Sequence, residues 1–219
     1  MDSNVRRHSR KTMGFSRVLI ANRGEIALRI LRSLRTMGIE VAIIHGREDR
    51  TSLPVRLSDY AVPIYREDPL QSYLDIEAVV EAAKSVRADA VHPGYGFLAE
   101  NPAFASRLKD EGIVFIGPSS EVLELLGDKI QARSTMAAAG LPVAGGSDLP
   151  VENPDEANLI ASEIGYPVII KAAAGGGGIG MQVVVSQDGL DSAFRVCSSR
   201  AKSAFGDGRV FIELSLIHI

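Results

Sequence analysis

Tyr166-Pro-Val-Ile-Ile-Lys-Ala-Ala-Ala-Gly-Gly-Gly-Gly-Ile-Gly180 is the stretch that decides how this chain folds and what it can grip. The apolar run before Lys171 reads as a buried strand. It delivers the lysine to the start of a loop holding Gly175, Gly176, Gly177, Gly178 and Gly180. Glycine accepts positive φ and has no Cβ to hold a ligand away, so such a loop can bring bare backbone N–H groups onto phosphate oxygens while the lysine supplies charge. A hairpin without a ligand is the bland alternative. Ordering so much glycine costs considerable chain entropy, which favours a functional reason for it.

The residues after the loop separate the phosphate-binding possibilities. Gly175, Gly177 and Gly180 fit G-x-G-x-x-G, but a dinucleotide turn must open a helix, on whose N-terminus the pyrophosphate rests. Here Met181-Gln-Val-Val-Val185 comes next, and its β-branched residues predict a strand. A Walker loop fails as well, because its lysine comes after the glycines and opens a helix. The spacing therefore predicts a strand–loop–strand hairpin that closes over phosphates like a lid. Around it lie an expected helix from Pro154 to Ile164, another starting at Asp188 and running through Leu190 to Ala204, and a last strand from Arg209 to Glu213. Together these make a small α+β domain.

Upstream, strand and helix patterns alternate. Val18 to Ala21, Val41 to Ile44, Ala88 to His92 and Ile113 to Ile116 read as short buried strands. Ile26, Ile30, Leu31 and Leu34 recur at helical spacing, as do Ile76, Val79, Val80 and Ala83 between Leu74 and Ser85; Pro102 to Asp110 is a third helix. This order predicts an α/β, Rossmann-like parallel sheet with helices on both faces. Ligands of such sheets sit beyond the carboxyl ends of the strands. There the sequence places the turns Asn22-Arg-Gly-Glu25, His92-Pro-Gly-Tyr-Gly-Phe97 and Gly117-Pro118. Asp128 is placed to cap a helix reaching Ala139, with Gly140 ending it. Pro142, Gly145, Gly146 and Pro150 then form a linker.

The expected organisation is a basic tail over residues 1–12, a parallel-sheet domain over 13–127, a helix and linker over 128–142, the small domain over 143–213, and a tail over 214–219. The 219 residues suffice for one good core or two small ones, and 46% hydrophobic with 23% charged residues is the balance of a globular protein. A net charge of −3 gives no general attraction to nucleic acid or anionic membranes. No apolar run reaches membrane-spanning length. Cys197, the only cysteine, cannot form an internal disulfide, so a reducing cytoplasm and an inert buried thiol are expected. No second histidine stands at metal-ligand spacing from His92, and no metal ligand is assigned.

The segment from Tyr166 to Gly180 resembles the phosphate loop of ATP-grasp enzymes, specifically biotin carboxylases and carbamoyl-phosphate synthetases. Three further segments favour biotin carboxylases: Val18-Leu-Ile-Ala-Asn-Arg-Gly-Glu-Ile-Ala-Leu-Arg-Ile30, Ser72-Tyr-Leu-Asp-Ile76 and, most specifically, His92-Pro-Gly-Tyr-Gly-Phe-Leu-Ala-Glu-Asn101. The resemblance implies a pre-ATP-grasp domain followed by the ATP-grasp lid domain. It implies a ligase that uses ATP and bicarbonate, by way of carboxyphosphate, to carboxylate biotin on a carrier protein or domain. By the same resemblance Lys129 and Lys171 contact the nucleotide, Gly175 to Gly178 and Gly180 form its lid, Met181 lies beside it and Glu213 holds the adenine. Tyr95 and Gly96 form the floor of the biotin site. The resemblance also implies a homodimer through the first domain, with Arg29 and Arg32 near the partner, and a carboxyltransferase subunit.

Some positions depart from the family pattern. Ile179 stands where the family often has arginine in the lid, and Ala174 where it has glycine; a β-branched residue stiffens the lid and offers no charge. The family continues past Glu213 into a long second half carrying the two glutamates that bind Mg2+. The chain is accordingly expected to be an amino-terminal fragment, inactive alone and a weak ATP binder, with Leu214 to Ile219 a non-native tail of sequencing-adapter origin. The alternatives are a carbamoyl-phosphate-synthetase-type fragment, a non-catalytic nucleotide-binding module and, least favoured, an NAD-binding domain. The final acyl acceptor is open.

Overall fold

The computed structural model describes residues 14–147, 149–173, 178 and 180–217. They fall into two compact units that part between Leu123 and Glu124.

The first unit carries β1 (Arg17–Ile20), α1 (Gly24–Thr36), β2 (Glu40–His45), α2 (Leu53–Leu57), β3 (Tyr60–Pro63), α3 (Gln71–Leu74), α4 (Ile76–Ser85), β4 (Ala90–His92), α5 (Pro102–Asp110) and β5 (Val114–Phe115). Its five strands are all parallel, in the order β3-β2-β1-β4-β5. The strands are apolar on both faces because both are covered. Val18, Ile20, Val41 and Ile43 pack on Ala27, Ile30, Leu31 and Leu34 of α1. Leu19, Ala42, Ile44 and Val91 pack on Val79, Val80 and Ala83 of α4 and on Phe104 and Leu108 of α5. Burying each such aliphatic side chain contributes about 1.5–3 kcal/mol. The chain reverses its direction of travel across the sheet between β1 and β4, which puts the carboxyl ends of these two strands side by side. This is the switch point where open parallel sheets receive ligands.

In the second unit α7 (Lys129–Ala138), α8 (Pro154–Ile164), β6 (Val168–Ala172), β7 (Met181–Val184), α9 (Leu190–Phe205) and β8 (Val210–Leu214) form an antiparallel sheet, order β7-β6-β8, with helices. One sheet face is dry: Val168, Ile170, Val184, Val210 and Ile212 meet Ala157 and Ala161 of α8 and Leu190, Ala193, Phe194 and Cys197 of α9. The Cys197 thiol is buried, and burial raises its pKa, as expected of an inert thiol. Among the described residues no helix is long and apolar enough to cross a membrane.

The parallel and antiparallel sheets match the two expected architectures, with local differences. The short elements α2, β3, α3 and α6 (Ser120–Gly127) were not legible. β3 is an exposed edge strand, and α2 and α3 are each only about a turn long, too short for periodicity to speak. Gly24 and Glu25, expected in a turn, open α1. The helix expected from Leu74 begins at Ile76, because Asp75 is its N-cap and accepts from the Ala78 N–H at 3.0 Å. A short 3-10 turn, Gln187–Gly189, precedes α9 where Asp188 was expected to start it. β8 runs one residue beyond the expected strand, with Leu214 opposite Val168 and the Ser215 N–H donating to the Pro167 carbonyl at 2.9 Å.

Candidate functional site

The three-stranded sheet turns its second face outward, and the register assembles a site on it. Lys171 lies directly opposite Met181 on β7, so both side chains emerge on the same side. Lys171 also faces Phe211 on β8, and Ile169 faces Glu213, which puts Lys171 and Glu213 on that side as diagonal neighbours. The Lys171 Nζ meets the Glu213 carboxylate in an ion pair whose side chains are 24% and 19% exposed. Phe211 and Ala173 close one end of this face against Ile130 of α7.

Asp128 fixes the first turn of α7 by accepting from the N–H groups of Ile130 and Gln131 at 3.0 and 3.1 Å. The neighbouring backbone N–H, that of Lys129, donates to the Ala173 carbonyl at 3.3 Å. The start of α7 is thereby fastened to the root of the glycine run. Lys129, Lys171, Met181 and Glu213 are thus gathered around one open sheet face by β6, β7, β8 and α7.

The hairpin itself is antiparallel, as the residues after Gly180 predict, and the Ala172 N–H donates to the Gly180 carbonyl at 3.0 Å across its base. Gly180 is buried at φ +72°, and a Cβ there would come within 3.1 Å of the Ala172 Cβ. Gly178 is exposed. Gly175, Gly176 and Gly177, with Ala174 and Ile179, lie outside the described residues. The strand after the loop excludes a dinucleotide turn and a Walker loop here. Among the described residues no group of three or more His, Cys, Asp or Glu could hold a metal ion.

In the first unit the turns after β1 and β4 meet at the switch point. Asn22, only 2% exposed, donates through Nδ2 to the carbonyls of Pro93 and Tyr95 at 2.7 and 2.8 Å. Tyr95 and Gly96 form the crest of the second turn. Tyr95 is 62% exposed and its hydroxyl donates to the Glu25 carboxylate of α1. A second network stands behind them. Arg23 holds Asp49 through two N–H donors at 2.7 and 2.9 Å, and the Tyr73 hydroxyl donates to the same carboxylate at 2.6 Å. Burial, and then this bond, raise the Tyr73 pKa far above the phenol range.

Sequence reasoning singled out Tyr95, Gly96, Lys129, Lys171, Met181 and Glu213 but not Asn22, Asp49 or Tyr73 as site-forming groups. An asparagine after an apolar strand gives a weak signal that it is buried and must spend both of its amide groups on backbone partners.

Two family models match the chain: biotin carboxylase, N-terminal domain, over residues 14–123, and carbamoyl-phosphate synthase L chain, ATP binding domain, over residues 128–219. The first alone spans half of the chain. The chain belongs to the biotin carboxylase family. Among curated members of that family, a pyruvate carboxylase subunit of Methanothermobacter thermautotrophicus is 49% identical over 91% of this chain and 40% of its own length. Biotin carboxylase of Pseudomonas aeruginosa is 48% identical over 90% of this chain and 44% of its own length. The chain therefore spans less than half the length of these relatives. Among solved biotin carboxylase structures, that from Campylobacter jejuni in complex with β,γ-ATP superposes with a TM-score of 0.89 at 44% identity, covering 92% of this chain and 45% of the other. The biotin carboxylase domain dimer of Hydrogenobacter thermophilus 2-oxoglutarate carboxylase, in complex with MgADP, ADP and bicarbonate, gives 0.88 at 43% identity over 92% and 44% of the two chains.

Proposed function

We propose that this chain serves the ATP-dependent carboxylation of biotin, and that its second unit grips the nucleotide. The observation that carries the proposal is the open sheet face on which Lys171, Met181 and Glu213 converge at the root of a glycine hairpin, with Lys129 fastened beside it. In this reading Lys171 and Lys129 attract phosphate oxygens, and Gly175 to Gly178 with Gly180 fold over them as a lid. Met181 packs against the base, and Glu213 marks the adenine end. Residues 13–127 form the first domain, 128–142 the helix and linker, and 143–213 the lid domain.

The chemistry asks for such a grip. A bicarbonate oxygen attacks the γ-phosphorus, the bond to the β-phosphate oxygen breaks, and ADP leaves. The resulting carboxyphosphate passes its carboxyl group to a ureido nitrogen of biotin, releasing phosphate. Phosphoryl transfer depends mainly on positioning and on neutralising charge, which fixed lysines and backbone N–H groups supply. Mg2+, where bound, neutralises phosphate charge further. Tyr95 and Gly96 are proposed as the floor beneath biotin, borne on a carrier protein or domain, with a carboxyltransferase as the next consumer and a homodimer through the first domain. A carbamoyl-phosphate reading has support only in the second unit, because the first unit's match is to biotin carboxylase.

The test is a chimera in which residues 14–213 replace the matching segment of the Pseudomonas aeruginosa biotin carboxylase. Biotin- and bicarbonate-dependent ADP release at a rate within about tenfold of the parent is expected. A folded chimera that binds ATP but releases no ADP on adding biotin would sink the proposal.

A further inference from the structure

The turn after β4 is strained, and the side chains that hold it can be named. Gly94 and Gly96 have φ of +69° and +67°, and Phe97, which is not glycine, has φ of +44°. A bulky residue in the left-handed region is disfavoured by its own Cβ and persists only where its surroundings impose it. Here the surroundings are specific. The Gly94 N–H donates to His92 Nδ1 at 3.0 Å. Asn22 Nδ2 donates to the carbonyls of Pro93 and Tyr95, while Asn22 Oδ1 accepts from the Arg23 N–H at 2.8 Å. A Cβ on Gly94 would fall 2.7 Å from Asn22 Nδ2, so the turn is drawn tightly onto the asparagine. The Phe97 ring stacks on Tyr73 at 5.1 Å between centroids, and Tyr73 is itself anchored by Asp49.

We propose that Asn22 and neutral His92 are positioning residues: they hold the Pro93–Phe97 turn in the single conformation that presents Tyr95 and Gly96, and protonation of His92 releases it. The proposal deepens the reading of Tyr95 and Gly96 as the biotin floor and rests on that reading for its functional meaning. Its physical basis is separate. Neutral imidazole offers Nδ1 as an acceptor when the proton sits on Nε2, whereas imidazolium has two donors and no acceptor. A protonated His92 would set an N–H against the Gly94 N–H. His92 is half-buried in a cavity of about 430 Å³ between α1 and the sheet, whose charged or titratable lining groups are Arg29 and Tyr95 besides His92 itself. Glu25, on the first turn of α1, is engaged by the Tyr95 hydroxyl. Burial lowers the His92 pKa, in keeping with a histidine that is neutral when the turn is formed.

The experiment is NMR on this chain, following the His92 ring nitrogens and the amides of Gly94, Tyr95 and Gly96 from about pH 8 to about pH 5, the range in which histidines titrate. The expected result is an Nε2-protonated neutral ring at high pH and turn amides that move with the His92 midpoint. In His92→Asn the side-chain oxygen replaces Nδ1 as acceptor and does not titrate, so the turn amides should stay native and flat with pH. In His92→Leu, and in Asn22→Asp, which loses the two donors but keeps an acceptor, the turn amides should shift and the Gly94 amide should lose exchange protection by about fivefold. The proposal is overturned if the turn amides of either Asn22→Asp or a folded His92→Leu match those of the wild type. A titration midpoint other than that of His92, or turn amides in His92→Asn that still titrate, overturns it too. Free biotin is the probe for the floor itself. Unmoved Tyr95 and Gly96 amides at saturating biotin would remove the biotin reading while the clamp results stand.

Discussion

Lys171 on β6 and Glu213 on β8 are diagonal neighbours on the open face of the three-stranded sheet, and the ammonium of the one is held by the carboxylate of the other. The pair holds the lysine ammonium on this face, at the root of the glycine hairpin. Replacing Lys171 by Ala in the chimera should therefore weaken ATP binding about tenfold or more, because a hydrogen bond to a charged group contributes about 1.5–3 kcal/mol. Isothermal titration with ATP reads the change directly. Unaltered affinity would remove Lys171 from the nucleotide site.

The main architecture was legible because its signals are periodic. Buried apolar strands alternating with helical stripes specify the parallel sheet, and Val183 to Val185 after the glycines separate a hairpin from a helix-opening loop. The site was legible only in part. Lys171 stands at a strand end beside glycine, and that context says what the lysine is for. Lys129 and Glu213 have no such context, and only family resemblance pointed to them. Their place depends on β8 pairing with β6 and on the Lys129 N–H reaching Ala173, contacts between residues 38 to 46 positions apart in sequence. Asn22 and His92 are less legible still, since a buried polar side chain is recognised by its partners, and these are backbone atoms of a turn.

The hairpin's base makes a second prediction. Gly180 has φ of +72° and little room for a methyl group beside Ala172, with the Cys197 carbonyl 3.5 Å away. Gly180→Ala should destabilise the second unit by about 1–2 kcal/mol through backbone strain and crowding. Urea unfolding followed by circular dichroism measures this. A midpoint equal to that of the wild type would mean that the hairpin base tolerates another conformation.

Asp128 accepts from two of the orphan N–H groups at the start of α7. Asp128→Ala should cost about 1 kcal/mol of stability, the usual worth of an N-cap. It should also weaken nucleotide binding in the chimera, since the same turn carries Lys129. Loss of stability with unchanged ATP affinity would make the cap structural only and detach Lys129 from the site.

The Arg23–Asp49–Tyr73 network sets an acid limb on stability. Burial of Asp49 works against its charge, but the bonds from Arg23 and Tyr73 outweigh it, and its pKa is held below the ordinary carboxylate value. The unfolded chain therefore binds the proton more readily. The contribution of this network is fully present above about pH 4, the unfolded carboxylate value, and is lost as pH falls through the depressed folded value. Asp49→Asn keeps the shape but gives Tyr73 and Arg23 a neutral acceptor, at a cost of about 1–3 kcal/mol near neutral pH. The variant's stability should then fall less steeply than the wild type's on acidification, so the two urea midpoints should converge as the pH falls below about 4. Parallel curves over that range would assign the acid limb to other carboxylates. Because Tyr73 also carries the ring on which Phe97 stacks, the same substitution should loosen the turn that presents Tyr95. Faster exchange of the Gly94 amide in Asp49→Asn, beyond the acceleration that the loss of global stability gives the β1 and β2 amides, is the outcome expected.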